Sequence, residues 1–308
     1  MLDLPIIDPH HHLWELKRSY PWLQGPPNPE RFTGDDSAIH VDYLPADYLR
    51  DFAGLNWRGS VHVDAGAGDA LEEAGFIQEL HDNCGVPTAA VAAANLLSPD
   101  AGEHLEALSD LSTVRGIRHI LNWHPSANYT YVSRNDIMAD STWQRNFARL
   151  AGLGFSFDLQ VYPAQLADAA ELARAYTDTS IILNHTGMPL GTDEDSVAEW
   201  RAGIDSLAAL PNTSIKISGI GMTIHPWTTD SIRPFVRHAI EAFGTDRAMF
   251  ASNFPVDRLY SDIPSLYAAF DELTSDLSAN ERRALFAESA VDIYRLPKLT
   301  DPIRKATR

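Results

Sequence analysis

The sequence of 308 residues predicts an α/β fold, a TIM (β/α)8 barrel that forms a single domain over residues 1–308. Three observations lead to this prediction. Eight short β-rich segments recur along the chain, helical patterns stand between them, and no linker divides the chain. With 44% hydrophobic residues, the chain has enough apolar side chains for one large core.

The predicted elements alternate in order along the chain. The eight predicted strands are residues 5–8, 59–65, 88–95, 116–121, 155–162, 180–185, 213–219 and 247–253. The segments 69–85, 142–154, 166–178 and 232–244 have apolar positions three or four apart and often a closing Gly, which is typical of amphipathic helices. An irregular loop is predicted near residues 14–45, because the central part of this segment is rich in proline. A loose C-terminal tail is predicted after Leu296.

The charge balance disfavours two classes of partner. The 24 basic and 42 acidic residues give a net charge of −18, which repels nucleic acid backbones and anionic membrane surfaces. The single cysteine, Cys84, cannot form an internal disulfide. No secretory signal pattern is visible, and no apolar run approaches the ~18 residues needed to span a bilayer. We therefore expect a cytoplasmic protein that binds a small-molecule substrate, with a homodimer as a further expectation.

Polar side chains are concentrated at the C-terminal ends of the predicted strands, where barrels of this type carry their active sites. They are His10, His12, His62, Asp64, Arg118, His119, Gln160, Tyr162, His185, Lys216, Ser218 and Asn253. Residues two apart on an extended segment point to the same side, so His10 and His12 in PIIDPHHHLWEL can aim two imidazoles at one point. That geometry suits a metal ion or an oxyanion, and His185 offers a third imidazole from another strand end. His11 should turn away and support the site.

Five segments, taken in order, resemble the lactonase branch of the amidohydrolase-related (amidohydrolase 2) family. They are DPHHHLWE, VRGIRHIL, ILNHTGMP, KISG and MFASNFPVD, and the resemblance covers nearly the whole chain. It implies a TIM barrel that hydrolyses lactones of sugar acids or of aromatic-degradation intermediates. It also implies that His10, His12 and His185 bind a divalent metal ion, zinc before others, if a metal is bound, since some members work without one. Arg118 matches the family's strand 4 arginine.

Two positions depart from the family pattern. The family usually has SDWP where this chain has SNFP, so Asn253 replaces an aspartate that serves as general base or metal ligand. An amide has no basic site near neutral pH, so another group must take the proton from water. Candidates are Asp257, Asp64, Asp158 and His185. His124 stands where the dicarboxylate lactonases have a substrate-binding arginine, which moves the resemblance toward the sugar-lactone members.

Lactone hydrolysis needs an activated water, a polarised carbonyl and a stabilised oxyanion. We expect His10, His12 and His185 to hold a divalent ion or the substrate carbonyl itself, and Asp257 or His185 to transfer the proton near Asn253. The expected substrate-binding residues are Arg118, His124, Gln160, Tyr162, His62 and Asp64. Two alternatives stay open: a decarboxylase, hydratase or lactone isomerase on the same scaffold, and a non-catalytic binding protein.

Overall fold

Eight parallel strands form the wall of a nearly closed barrel, hydrogen-bonded in the order β1 to β8. The computed structural model describes residues 3–298. Its strands are β1 Ile6–His11, β2 Trp57–Val63, β3 Ala89–Ala93, β4 Val114–Ile120, β5 Ser156–Gln160, β6 Ile181–Leu183, β7 Thr213–Ile217 and β8 Ala248–Phe250. A parallel bridge between His11 and Phe254 joins β1 to the segment after β8. The predicted (β/α)8 barrel is confirmed.

Helices connect the strands and pack around the barrel. They are α1 Pro21–Gln24, α2 Pro45–Asp51, α3 Ala70–Cys84, α4 Ala101–Ser109, α5 Ser141–Phe147, α6 Arg149–Gly152, α7 Leu166–Ala175, α8 Glu194–Ala208, α9 Ile220–Thr223, α10 Thr229–Phe243, α11 Ile263–Leu273, α12 Ala279–Arg283 and α13 Ser289–Ile293. In α10, the buried residues recur every three or four positions, from Ile232 to Phe243, so one face of the helix covers the strands. Among the described helices, none is long and apolar enough to cross a membrane.

A bulge in β1 decides which histidines face the barrel interior. Asp8 is paired with Ser60 and His11 with His62, so β1 advances by three residues over a stretch in which β2 advances by two. Ile7 belongs to the interior apolar cluster, and strict alternation from it would turn His11 inward. The extra residue shifts the alternation by one, so that His10 faces inward instead.

The segment after β1 folds back so that its two ends pair with each other. Trp14 and Tyr43 form an antiparallel bridge with two backbone hydrogen bonds of 3.0 Å, and both side chains are buried. Between them lie the short helix α1 and a 3-10 turn at Ser37–Ile39. This stretch corresponds to the loop predicted near 14–45. The predicted loose tail lies mostly outside the described residues, and Leu296 itself packs in the interior cluster.

Candidate active site

A cavity of about 570 Å3 opens where the strands end. Six of the residues predicted from the sequence line it: His12, Asp64, Arg118, Gln160, His185 and Asn253. They come from the ends of β1, β2, β4, β5, β6 and β8, which are far apart in the sequence. The parallel barrel brings them together because all its strands end on the same face.

Arg118 is held rigidly at the base of this cavity. Its Nε donates to Asp64 Oδ2 at 2.5 Å, Nη1 donates to Gln160 Oε1 at 3.0 Å, and Nη2 donates to the Asp64 carbonyl oxygen. Arg118 and Asp64 are each 4% exposed, so the charges neutralise each other away from bulk water. A guanidinium has five N–H donors, and these contacts use three. Two N–H groups remain for a ligand in the cavity.

The His12 ring has a defined tautomer. Its Nδ1 lies 2.8 Å from the Val63 carbonyl oxygen, which can only accept, so Nδ1 carries the proton. Nε2 then has a lone pair, and it lies 3.4 Å from Asn253 Oδ1. Burial, followed by the charge of Arg118, lowers the pKa of His12 to about 4. At neutral pH His12 is therefore an uncharged proton acceptor at the cavity wall.

His185 reaches the cavity through an unusual backbone conformation. It follows β6 with a φ of 53°, and Thr186 has a φ of 56°, both in the left-handed region. Hydrogen bonds hold this turn, because Thr186 Oγ1 donates to the Ser218 carbonyl at 3.0 Å and Trp200 Nε1 donates to the Thr186 carbonyl at 2.7 Å. The His185 Nδ1 lies 3.3 Å from Ser218 Oγ. Burial and then Arg118 hold the pKa of His185 well below its usual range, so this ring is also neutral.

His10 lies deeper in the barrel than the cavity. Its ring centroid is 5.1 Å from that of His12 and 4.4 Å from that of His185, but His10 does not line the cavity. The Nδ1 of His10 lies 3.3 Å from Nζ of Lys216, which forms a fully buried ion pair with Asp158. The ammonium donates to Nδ1, so the imidazole proton is on Nε2, a buried atom with no hydrogen-bond partner.

These contacts argue against a divalent ion among the three predicted ligands. A histidine binds a metal through a nitrogen lone pair, whereas Nε2 of His10 carries a proton and Nδ1 faces Lys216. The fourth family position is an amide, Asn253, instead of a carboxylate. Within residues 3–298, no group of three or more His, Cys, Asp or Glu side chains is arranged to hold a metal ion. The residues as they stand do not fit the metal that the resemblance implies.

Asp257 lies behind Asn253 and outside the main cavity. Its Oδ2 accepts from the Gly219 backbone N–H at 3.1 Å, while Oδ1 is buried without a geometrically well-formed hydrogen bond. Burial raises the pKa of Asp257 to about 7, and the adjacent Asn253 side chain lowers it somewhat. Asp257 contacts the site through Asn253, whose Oδ1 faces His12 on the other side.

Three further predicted residues do not line the main cavity. His62 accepts from the Leu13 N–H at 3.1 Å and lies beside a small void next to Glu73. His124 Nδ1 accepts from the Ser126 N–H at 3.0 Å. Tyr162 donates its hydroxyl to the Tyr129 carbonyl at 2.7 Å. His11 stacks on Tyr48 with centroids 4.0 Å apart and contacts Ser60 at 3.0 Å.

The loops over the barrel supply lining residues that the strand pattern does not predict. They include Trp22, Asn28, Arg31, Asn128, Tyr131 and Met222. None of them lies at the end of a predicted strand, so the rule that placed the other residues could not find them. Aromatic and amide side chains in the long segments near 20–32 and 122–131 were the available signal, although such residues also cover cores.

The family model described as Amidohydrolase matches residues 7–296. The chain is 43% identical over 301 residues to the protein named "Uncharacterized protein y4mH" of Sinorhizobium fredii, and the match covers 96% of this chain and all of that protein. It is 30% identical over 314 residues to an L-fucono-1,5-lactonase of Burkholderia multivorans, with 96% and 97% of the two chains covered.

A solved structure of an amidohydrolase from Burkholderia multivorans with bound zinc has a TM-score of 0.80 with this chain. The two are 26% identical, and the match covers 95% of this chain and 99% of the other. The eight-stranded barrel, the ordered polar strand ends and the match over residues 7–296 agree, and the chain belongs to the Amidohydrolase (amidohydrolase 2) family.

Proposed function

We propose that this amidohydrolase-family chain is a lactonase, which opens a cyclic ester of a sugar acid or a related carboxylic acid with an activated water. The observation that carries the proposal is His12, a neutral imidazole with Nδ1 tied to Val63 and Nε2 available at the wall of a cavity that also contains Arg118. Support also comes from the relative named L-fucono-1,5-lactonase at 30% identity.

His12 is the group best arranged to take the proton from water. Of the proposed carboxylate bases, Asp64 lines the cavity but is bonded to Arg118. Asp158 is bonded to Lys216, and Asp257 lies behind Asn253. When Nε2 accepts a proton, both ring nitrogens become donors, and Asn253 Oδ1 at 3.4 Å is positioned to accept from Nε2. Asn253 thus stabilises protonated His12 without taking a proton itself.

The remaining steps follow from the same groups. The water oxygen attacks the lactone carbonyl while His12 takes its proton, and the two unused N–H groups of Arg118 donate to the developing oxyanion, an effect worth about 3 kcal/mol per donor in other enzymes. His185 lines the same cavity, and its proposed role is to orient the lactone ring. The ring C–O bond then breaks, the leaving alkoxide oxygen takes the proton from His12, and the product is a hydroxy acid. These reaction steps use only side chains of this protein. They need no divalent ion, in agreement with a donor set that does not fit one.

A screen of lactones by acid release tests the proposal. Purified protein, with and without prior treatment by EDTA, is incubated with 1,4- and 1,5-lactones of aldonic and aldaric acids and with aromatic lactones, while a pH indicator reports proton release. We expect turnover of a sugar lactone at the same rate in both preparations. Release of CO2, rearrangement of a lactone without net acid, or no turnover at all would contradict the lactonase proposal, and loss of activity with EDTA that zinc restores would contradict the metal-free route.

A further inference from the structure

Arg31 supplies a second guanidinium group to the cavity lining, from a different part of the chain than Arg118. Arg118 comes from β4, whereas Arg31 comes from the loop after α1. Among the described residues that line the cavity, the formal charges are these two guanidinium groups and the Asp64 carboxylate, which Arg118 already neutralises. The lining therefore carries two cations and one anion, in a chain whose net charge is −18, and Asp36 beside the lining balances part of the Arg31 charge.

The loop that carries Arg31 is fixed by its neighbours. Phe32 is 5% exposed and packs with ring centroids 6.1 Å from Tyr129 and 6.5 Å from Tyr162. The hydroxyl of Tyr260 donates to the Thr33 carbonyl at 2.6 Å. Asn128 donates to Glu30 at 3.0 Å, which ties this loop to the loop after β4. Residues on both sides of Arg31 are anchored, so its backbone is held beside the cavity.

The Arg31 side chain has most of its hydrogen-bonding capacity unused. Its nearest carboxylate is that of Asp36, with 3.6 Å between Nη1 and Oδ2, which is longer than a hydrogen bond. Asp36 also contacts His40 Nε2 at 3.1 Å. Within residues 3–298, no hydrogen bond from the Arg31 guanidinium is formed, whereas Arg118 uses three of its five donors.

Tyr131 lines the cavity together with the two guanidinium groups. Its ring lines the cavity with half of its surface exposed, and its centroid lies 6.1 Å from that of Phe32, the residue after Arg31. Arg31, Tyr131 and Arg118 therefore line one common space of about 570 Å3. A ligand that reaches Arg118 with one end can reach Arg31 with the other.

We propose that Arg31 binds a carboxylate of the substrate that is remote from the lactone carbonyl, so that the substrate is the lactone of a dicarboxylic sugar acid. This inference rests on the proposed lactonase function. A planar guanidinium with free donors pairs with a carboxylate through two parallel N–H···O bonds, and a neutral sugar lactone would leave that capacity unused. In the sequence, His124 in place of a loop arginine moved the resemblance from the dicarboxylate lactonases toward the sugar-lactone members. However, His124 does not line this cavity, and Arg31 supplies a cation from a different loop.

Matched pairs of lactones test the inference. Aldaro-1,4-lactones of the gluco, galacto and manno series, which carry a carboxylate, are compared with the aldono-1,4-lactones of the same series, which do not. We expect wild type to prefer an aldarolactone, and Arg31→Gln to raise its KM about 10- to 100-fold with a smaller change in kcat, while Arg31→Lys retains part of the affinity. The control is Arg50→Gln, which removes an exposed positive charge on α2.

The outcomes separate the two proposals. Equal or better turnover of the neutral lactones by wild type, or equal loss toward both members of a pair in Arg31→Gln, overturns the role of Arg31 and leaves the lactonase standing. If wild type opens neither member, the lactonase proposal fails, and calorimetric titration with the free aldarates and aldonates decides the inference. Aldarate binding that weakens at least tenfold in Arg31→Gln then supports it, and binding that does not change overturns it.

Discussion

Asn253 shows how one residue can change the role of its neighbours. It occupies a left-handed position with a φ of 57°, which asparagine and aspartate tolerate better than most residues. The amide contacts His12 at 3.4 Å on one side and lies against Asp257 on the other. Because an amide cannot take a proton, the proposed reaction needs a base that reaches the cavity, and we propose His12 for that role.

The variants His12→Gln and Asp257→Asn distinguish the two candidate bases. We expect His12→Gln to lower kcat by about 100-fold or more, as the loss of a general base does. Asp257→Asn should stay within about 3-fold of wild type, because Asp257 does not line the cavity. Steady-state kinetics on the best lactone measure both, and His104→Gln, a histidine bonded to the Ala93 carbonyl away from the cavity, is the control. A 100-fold loss in Asp257→Asn would instead make Asp257 the base.

The sequence predicted the part of the site that depends on strand ends. His12, Arg118, His185 and Asn253 line the cavity as residues that follow strands should. Depth along a strand is harder to predict, because His10 precedes His12 by two residues and lies one layer deeper, against Lys216. Arg31 and Tyr131 could not be predicted, since their positions depend on loop packing through Phe32 rather than on any periodicity.

At the scale of elements, each predicted strand is present, with ends shifted by up to a few residues. The predicted β6 and β8 continued to 185 and 253, whereas the ladders end at Leu183 and Phe250, because the chain turns to present His185 and Asn253 in left-handed conformations. The predicted first strand ended at residue 8, but β1 continues through the bulge to His11. The polar residues at these ends lie where hydrogen bonding between the strands stops. Amino-acid composition alone does not show at which residue a strand ends.

Gly219 lies two residues after β7 and packs against His185, which follows β6. A substitution there shows how far the segment after one strand positions the residue after another. A Cβ at this residue would lie 2.7 Å from His185 Nδ1, and its φ is +64°. We expect Gly219→Ala to displace His185 and lower kcat/KM at least tenfold. Gly85→Ala is the matched control, because Gly85 caps α3 with a similar φ of +73° and a Cβ there would have no neighbouring atom within 4 Å. Both variants should lose about 1–2 kcal/mol of unfolding free energy, measured by urea denaturation, from the left-handed backbone. Unchanged kinetics in Gly219→Ala would show that His185 can move without consequence.

Titratable groups buried in the described part of the molecule act on its stability in opposite directions. Burial lowers the pKa of six histidines: His10, His11, His12, His62, His119 and His185. Burial also raises the pKa of three carboxyl groups, Asp8 to about 6, Asp257 to about 7 and Glu73 to about 8. The unfolded chain protonates the histidines near pH 6.5 and the carboxylates only near pH 4.

We expect stability to fall steeply as the pH drops below 6.5 and to stay nearly level from pH 7 to 8. Near pH 5 the unfolded chain binds six histidine protons that the folded chain does not, and the folded chain binds three carboxyl protons that the unfolded chain does not. The excess of three protons in the unfolded state lowers the free energy of unfolding by about 4 kcal/mol per pH unit on acidification. From pH 7 to 8 the folded state holds extra protons on Asp257 and Glu73. Burial lowers the pKa of Lys216 to about 8, so over the same range the folded state loses a proton that the unfolded state keeps, and the two effects largely cancel. Urea denaturation followed by circular dichroism from pH 5 to 8 measures this profile. In Asp257→Asn the fall below pH 6.5 should become steeper, since one of the three carboxyl groups is removed, and stability that is constant or increases from pH 6.5 to 5 would contradict this expectation.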